Sequence, residues 1–404
     1  MLARLALRNI RRQRGRTLFT LSVIVLGVVG LILTGGFVED IFIQLREATI
    51  HSRLGHLQVH RAGYHATGRR DPFAYLISAP GELARDLSEI PGVEEVMMRL
   101  EFSGLATTGG GELPIIGEGV EPGKEKRLGS ALSLVEGRWL EESDTYGVLV
   151  GVGVARKLGM KPGDQLTLMA SSPEAGLNTI DLEVVGVFKS FSKDYDDRAI
   201  RVSLPAAKEL LATDGVHSLV FLLQETGLTE SVSGAIRARL PAEQYEVMTW
   251  DEMADFYRKT VDLYRRQFGV LQLITLVMVI LSVTNSVNMA VYERIGEMGT
   301  MKALGCRRRI IFRLVLLENL FLGGGGALVG TLVGMTAAWV VSQVGIPMPP
   351  PPNSNSGYVA VIPLVPGVIV TAAVVGLSAT GLAAILPARR VAKMSVAEAL
   401  RHNV

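Results

Sequence analysis

Six histidines, one cysteine and a few glycine-lysine or glycine-x-glycine pairs are the residues here whose types suit catalysis or ligand binding. His51, His56, His60 and His65 come nearest to a cluster. Histidines four apart share one face of a helix and can hold a metal there. His56-Leu-Gln-Val-His60 alternates as a strand does, however, which keeps the rings on one face but too far apart to chelate easily. Gly123-Lys124 lacks the rest of a phosphate loop: Glu118 stands where the first glycine belongs, and Glu125 where a serine or threonine would follow. Gly151 and Gly153 are followed by Arg156 rather than a third glycine, so a dinucleotide turn is not expected. These residues predict a chain that is not an enzyme and carries no metal or cofactor of its own.

What remains is the chemistry of charge and apolar surface. The chain is 48% hydrophobic, with a mean hydropathy of +0.32. Its apolar residues are concentrated. Thr17 to Val38 and Gln267 to Tyr292 carry no charge, and Leu314 to Ala388 carries only Glu318. About 20 apolar residues in a helix cross a bilayer. The last run is too long for one crossing and is broken by Gly345-Ile-Pro-Met-Pro-Pro-Pro-Pro352 and the polar residues after it, which cannot lie in lipid as open backbone. Four transmembrane helices are predicted, at 17–38, 267–292, 314–344 and 359–386, with an uncharged loop at 345–358. The first is too long for a cleaved signal core and is expected to be a retained anchor.

Basic residues set the orientation. Segments 1–16, 293–313 and 387–404, with the spans, hold 16 basic and 4 acidic residues; 39–266 holds 25 basic and 35 acidic. An excess of arginine and lysine marks the cytoplasmic side, so both termini and the connector at 293–313 are expected there. Residues 39–266 then form a large acidic domain outside the membrane. Arginines beside anionic lipid explain the basic runs, and no nucleic acid is expected. Cys306 falls on the side where thiols stay reduced. Within 39–266, short alternating runs such as Val93–Leu100, Gly147–Gly151 and Ile180–Phe188 read as strands interleaved with short helices: an α+β domain in two subdomains. Glu39–Ser52 and Asp251–Gln267 read as stalk helices that continue the spans outward.

The connector is the informative part. Glu293 to Gly305 places Ile295, Met298 and Met301 or Lys302 at helical spacing, with Gly305 as its stop. A short amphipathic helix held between two spans transmits a push as a lever would.

Glu293–Leu304, Arg308–Arg313 and the ending Pro387–Leu400 together resemble the permease signature of the MacB/LolC–LolE/FtsX superfamily. The N-terminal Leu7–Leu18, Leu158–Asp164 and Val184–Phe188 are similar to that family as well. The resemblance implies a type VII ABC transporter permease with one span, a large α+β periplasmic domain and three further spans. The periplasmic part would comprise a Porter-like base and a Sabre-like insert at about 101–205. It implies a dimer, homomeric or with a related permease, acting on a separate pair of ATPases that carry the ATP and magnesium. Glu293, Arg294, Glu297, Met298, Lys302, Leu304 and Gly305 would contact or position against that ATPase. The implied mechanism is mechanotransmission: closing of the ATPases moves the stalks, and the outer domains work on a lipoprotein, lipid or amphiphile. A periplasmic or outer-membrane partner would receive it. The alternative is an FtsX-like signalling permease that regulates a cell-wall hydrolase. In the lipoprotein-releasing branch a longer hairpin stands where this chain has only Met169–Thr179, whereas Ser190–Asp197 resembles that branch.

Gly326, Gly330 and Gly334 recur every four residues in the third span, and Gly376 belongs to a similar series in the fourth. Small residues let helices approach closely in lipid, within a subunit or between two. Glu318, near the cytoplasmic edge, needs a partner, for which Arg313 or Asn288 is expected. The whole pattern predicts a multi-pass protein of the bacterial inner membrane. Cys306 is therefore expected to resist membrane-impermeant maleimide on intact cells, while a cysteine placed at Asp194 reacts. Labelling of Cys306 from outside would overturn this topology.

Overall fold

The computed structural model describes residues 2–12, 14–68, 70–172, 176–349 and 357–396. The chain divides into two compact units, one of residues 1–43, 261–347 and 359–404, the other of 44–260 and 348–358. Part of the Pro347–Pro352 turn and the end of the signature from Ala397 onward lie outside the described residues.

Among the described residues, four helices are long and apolar enough to cross a membrane. They belong to the helices Arg14–Thr49, Asp255–Tyr292, Arg308–Val344 and Pro366–Lys393. At about 1.5 Å per residue, the first two outrun a hydrocarbon core of about 30 Å by more than 20 Å each. Both helices continue past their apolar runs, but the first turns π-helical after Thr49, and Ala254 separates the second from the short helix Trp250–Met253, so the expected Asp251–Gln267 stalk is not one unbroken helix. In the membrane unit, Ile24, Val28 and Ile32 of the first span pack with Val283, Val287 and Val291 of the second. Ile311, Val315, Ala372 and Ala383 complete that core. Thr20 and Ser286 share a buried hydrogen bond, and Asp40 accepts the Val361 N–H at 3.1 Å. The outward face of the second span, from Val270 through Ile274 and Met278 to Leu281, is exposed.

The other unit is a ten-stranded mixed sheet system whose two parts are joined by one long strand, Val93–Thr107. Its first half pairs with Ser218–Leu223, which pairs in turn with Leu57–Arg61 and so reaches Tyr245–Thr249, all antiparallel. Its second half, from Leu100, pairs with Glu112–Val120 and Gln165–Ser172. Beyond these lie Ala199–Ser203, parallel to Glu112–Val120, then Gly147–Gly151, parallel to Gly176–Lys189, and Ser133–Gly137. The second part thus runs from Leu100 to Ser203. A single core of aliphatic side chains, including Leu57, Leu100, Leu166, Val184, Leu219 and Phe221, underlies both parts.

Charged side chains are buried where the parts meet. Arg53 lies in the π-helical turn Ile50–Leu54 that ends the first long helix. Its Nε donates to Glu118 at 2.8 Å, and it donates to Glu101 at 3.2 Å. Arg99 donates to Glu125 at 2.8 Å and to the Arg53 carbonyl. Arg201 lies 3.2 Å from Glu118 and 3.0 Å from Glu125, and donates to the Ser52 carbonyl at 2.9 Å. Burial drives the Glu118 pKa upward, but the guanidiniums of Arg99, Arg201 and Arg53 more than reverse it, to about 2. Removing one member of such a set leaves an uncompensated buried charge, which is costlier than the set itself is stabilising.

Three buried histidines of this unit have carboxylates near them, Glu47 for His56 and Glu101 for His60 and His217, which only partly oppose the effect of burial. Burial lowers the pKa of His56 and His60 to about 4, and lowers that of His217. The folded unit therefore binds fewer protons than the unfolded chain below an ordinary histidine pKa of about 6.5. Stability contributed by their neutrality is full above that value and is lost as pH falls toward 4. The Glu118 contribution is lost only at lower pH, between the ordinary carboxylate value and 2. Thermal unfolding of the detergent-solubilised chain should drop steadily from about pH 6.5 to 4.5, and His60→Gln should flatten the slope. A slope unchanged in that variant would remove His60 from the account.

Candidate functional site

Ile295–Ala303 forms the helix between the second and third spans. Its apolar stripe is turned inward, with Ile295, Gly296, Met298 and Gly299 buried. Gly305 ends it at φ +91°, a conformation that a side chain would resist, and the chain re-enters helix at Arg308. Glu293, Glu297, Thr300 and Ala303 face outward. Leu304, at the tip, is 82% exposed.

Polar residues of the connector bind other parts of the same unit. Arg294 donates through Nη1 to Glu318 of the third span at 2.9 Å and through Nε to Glu297 at 3.1 Å. Asn9 of the N-terminal helix Leu2–Arg12 donates to the other Glu318 oxygen at 2.6 Å. Arg12 of that helix meets Glu297. At the far end of the connector helix, Lys302 donates to the carbonyls of Val391 and Met394, where the last helix stops. Burial opposes the Arg294 charge, but Glu318 and Glu297 more than offset it and raise its pKa. Glu318 is thus paired as its position demands, with Arg294 and Asn9 rather than with Arg313 or Asn288. The expected partners were wrong because the connector folds back under the third span.

A cavity of about 430 Å³ opens within the membrane unit between the first, second and fourth spans. Leu31, Leu276 and Val375 line its deep end. Glu39, Arg265 and Gln272 line the end nearer the stalks, with the Arg265 guanidinium 5.8 Å from the centre of the Phe42 ring. The lining is mostly apolar throughout, with Thr34 and Thr371 deeper and the charges of Glu39 and Arg265 at the end nearer the stalks. Among the described residues, no cluster of histidine, cysteine and carboxylates suited to a metal occurs.

A sequence profile of the MacB-like periplasmic core domain matches residues 17–239, more than half of the chain. A profile of the FtsX-like permease C-terminal region matches 269–396. The chain belongs to the MacB- and FtsX-like ABC transporter permeases. An uncharacterized ABC transporter permease of Methanocaldococcus jannaschii is 24% identical over 98% of this chain and 96% of its own. The lipoprotein-releasing system transmembrane protein LolC of Neisseria meningitidis is 23% identical over 96% of this chain and 94% of its own. The periplasmic region of MacB from Actinobacillus actinomycetemcomitans aligns with 52% of this chain and 93% of its own, at 13% identity and a TM-score of 0.38.

In this permease the residues expected at the ATPase interface divide in two. Glu293, Leu304 and Gly305 are exposed, and Glu297 is exposed yet tied to Arg294 and Arg12. Arg294, Met298 and Lys302 are engaged within the subunit. Asn9 and Arg12 carry no sign of these roles in the sequence, because nothing in a basic N-terminal run separates a lipid-facing residue from one aimed at a carboxylate 309 residues away. The small residues are also engaged within the subunit. A Cβ at Gly326 would lie 2.8 Å from Ile24, at Gly334 2.8 Å from Ile32, and at Gly376 2.6 Å from Val28. At Gly330 it would lie 2.9 Å from the Val28 side chain and 3.2 Å from the Val25 backbone, which cannot rotate away. Gly330→Val is expected to cost about 1–3 kcal/mol through overpacking. Gly324→Val, with nothing within 4 Å of the new Cβ, should be nearly neutral. Thermal unfolding in detergent compares the two, and equal losses would contradict the packing.

Proposed function

We propose that this permease couples a separately encoded ATPase pair to the handling of a lipid-anchored or otherwise amphiphilic cargo, taken from the outer leaflet of the inner membrane. The cavity between the first, second and fourth spans carries this reading: its apolar depth suits acyl chains, and Glu39, Arg265 and Gln272 suit a polar head. A hydrated path is disfavoured because Glu318, the one charge between Leu314 and Ala388, is held by Arg294 and Asn9. The termini and the connector face the cytoplasm, and the 44–260 unit stands in the periplasm. ATP and magnesium bind the ATPase pair, which seats against Leu304 and the outward face of the connector helix. Two permeases, identical or related, form the working pair, and the outer domains drive the cargo outward to a periplasmic or outer-membrane acceptor. The relation to LolC, a protein of lipoprotein release, favours a lipoprotein.

Two substitutions separate the parts of this reading. Leu304→Asp should weaken binding of the ATPase to the permease in nanodiscs and leave the cavity intact. Gly269 lines the cavity and has nothing within 4 Å of an added Cβ, so Gly269→Leu fills it without a clash. With permease and ATPase in liposomes and a triacylated lipoprotein as probe, Gly269→Leu should cut ATP-dependent release on the order of tenfold, the effect of about two displaced methylenes at about 0.8 kcal/mol each. Full release by that variant would reject the cavity as the cargo site. Stimulation by a cell-wall hydrolase alone, with no lipoprotein effect, would favour the signalling alternative.

A further inference from the structure

We propose that Glu318 is a positioning residue for energy coupling: through Arg294 and Asn9 it fastens the connector helix and the N-terminal helix to the third span, so that the three move as one lever. The inference rests on the ATPase docking proposed above, and concerns what happens after docking. Three observations carry it. Each Glu318 oxygen takes a different partner, Asn9 at 2.6 Å and Arg294 at 2.9 Å, so one side chain joins three elements. Arg294 extends the tie to Glu297 at 3.1 Å, and Glu297 meets Arg12, which closes a ring of contacts between the connector and the N-terminal helix. Lys302 fastens the opposite end of the connector to the Val391 and Met394 carbonyls. A nine-residue helix bound at both ends cannot slide or roll alone under a push at Leu304. The push passes to the third span and to the end of the fourth.

Helix packing alone does not require this arrangement. An apolar residue at position 318 would fill the same space at no electrostatic cost, whereas a carboxylate in lipid holds its partners because leaving them exposes a charge. The tie is therefore stiff in a way that dispersion contacts are not, and it is directional through the two donors.

The test is a distance measurement on the full chain with its ATPase in nanodiscs. In a Cys306→Ser background, Thr300→Cys on the connector helix and Leu328→Cys on the exposed face of the third span carry spin labels. Pulsed electron resonance reads their separation with and without ATP and vanadate. With Glu318 present, the separation stays narrow and unchanged when the nucleotide binds. In Glu318→Leu the distribution broadens and shifts with nucleotide, while ATPase binding to the permease is unaltered. Glu318→Gln, which keeps the shape and one acceptor, gives an intermediate width and guards against a variant that fails to fold. A shift in the parent protein would show that the connector moves independently, and no change in either variant would show that Glu318 is not the tie. Both results would overturn the inference and leave docking intact. Failure of the ATPase to bind the parent protein would instead remove the reading beneath it.

Discussion

A carboxylate on an apolar helix must be answered from within the protein, because lipid offers it nothing. That requirement organises the membrane unit. Glu318 draws Asn9 from the N-terminal helix and Arg294 from the connector, and so decides where both short helices lie against the third span. Several other polar groups of the spans have hydrogen-bond partners as well. Thr20 finds Ser286, Asn319 and Thr336 donate to carbonyls four residues back, and Asp40 takes the Val361 N–H. At Glu318 the answer comes from two other elements at once, one of them at the N-terminus and the other in the connector. The path from connector to spans is consequently electrostatic at one end, at Glu318, and hydrogen-bonded at the other, where Lys302 meets the Val391 and Met394 carbonyls.

The outer unit solves a related problem with a larger set. Arg53, Arg99 and Arg201 face Glu101, Glu118 and Glu125 at the join of the two sheet parts. The arginines also bind the Ser52 and Arg53 carbonyls, and Gln58 that of Leu54, at the turn that ends the first long helix. Helix ends leave carbonyls without partners inside the helix, and guanidiniums are well suited to take them because each offers five donors in a fixed plane. The end of the helix is thus held by side chains from three strands, Leu57–Arg61, Val93–Thr107 and Ala199–Ser203. Such buried sets often contribute little net stability, and their value lies in fixing one geometry.

What was legible in the sequence follows the range of the forces involved. The spans appeared as uncharged runs, and strands such as Gly147–Gly151 appeared as short apolar alternations between glycines, because both patterns are local. The inward stripe of Ile295 and Met298 was legible for the same reason. Partners across long separations were not. Arg294 and Glu297 looked like surface charges available to an ATPase, and only the fold shows them turned toward Glu318 and Arg12. Arg201 did carry a faint sign, since it stands between Ile200 and Val202 in a short apolar strand, a position that a solvated arginine has no reason to occupy. Histidines 56 and 60, spaced for a shared face, instead take separate partners: His56 accepts from the Leu223 N–H, and His60 meets the His217 carbonyl.

The glycine ladder of the third span has a consequence for how two such chains recognise each other. Gly326, Gly330 and Gly334 are filled by the first span of the same chain, so the grooves that bring helices together in lipid are already taken. The surface left to a neighbour along the second span is a plain row of Leu, Ile, Val and Met, chemically indistinguishable from acyl tails. Such a face is adhesive to nothing in particular. Lipid and protein compete for it on nearly equal terms, and the choice between them falls to shape and to contacts made beyond the bilayer.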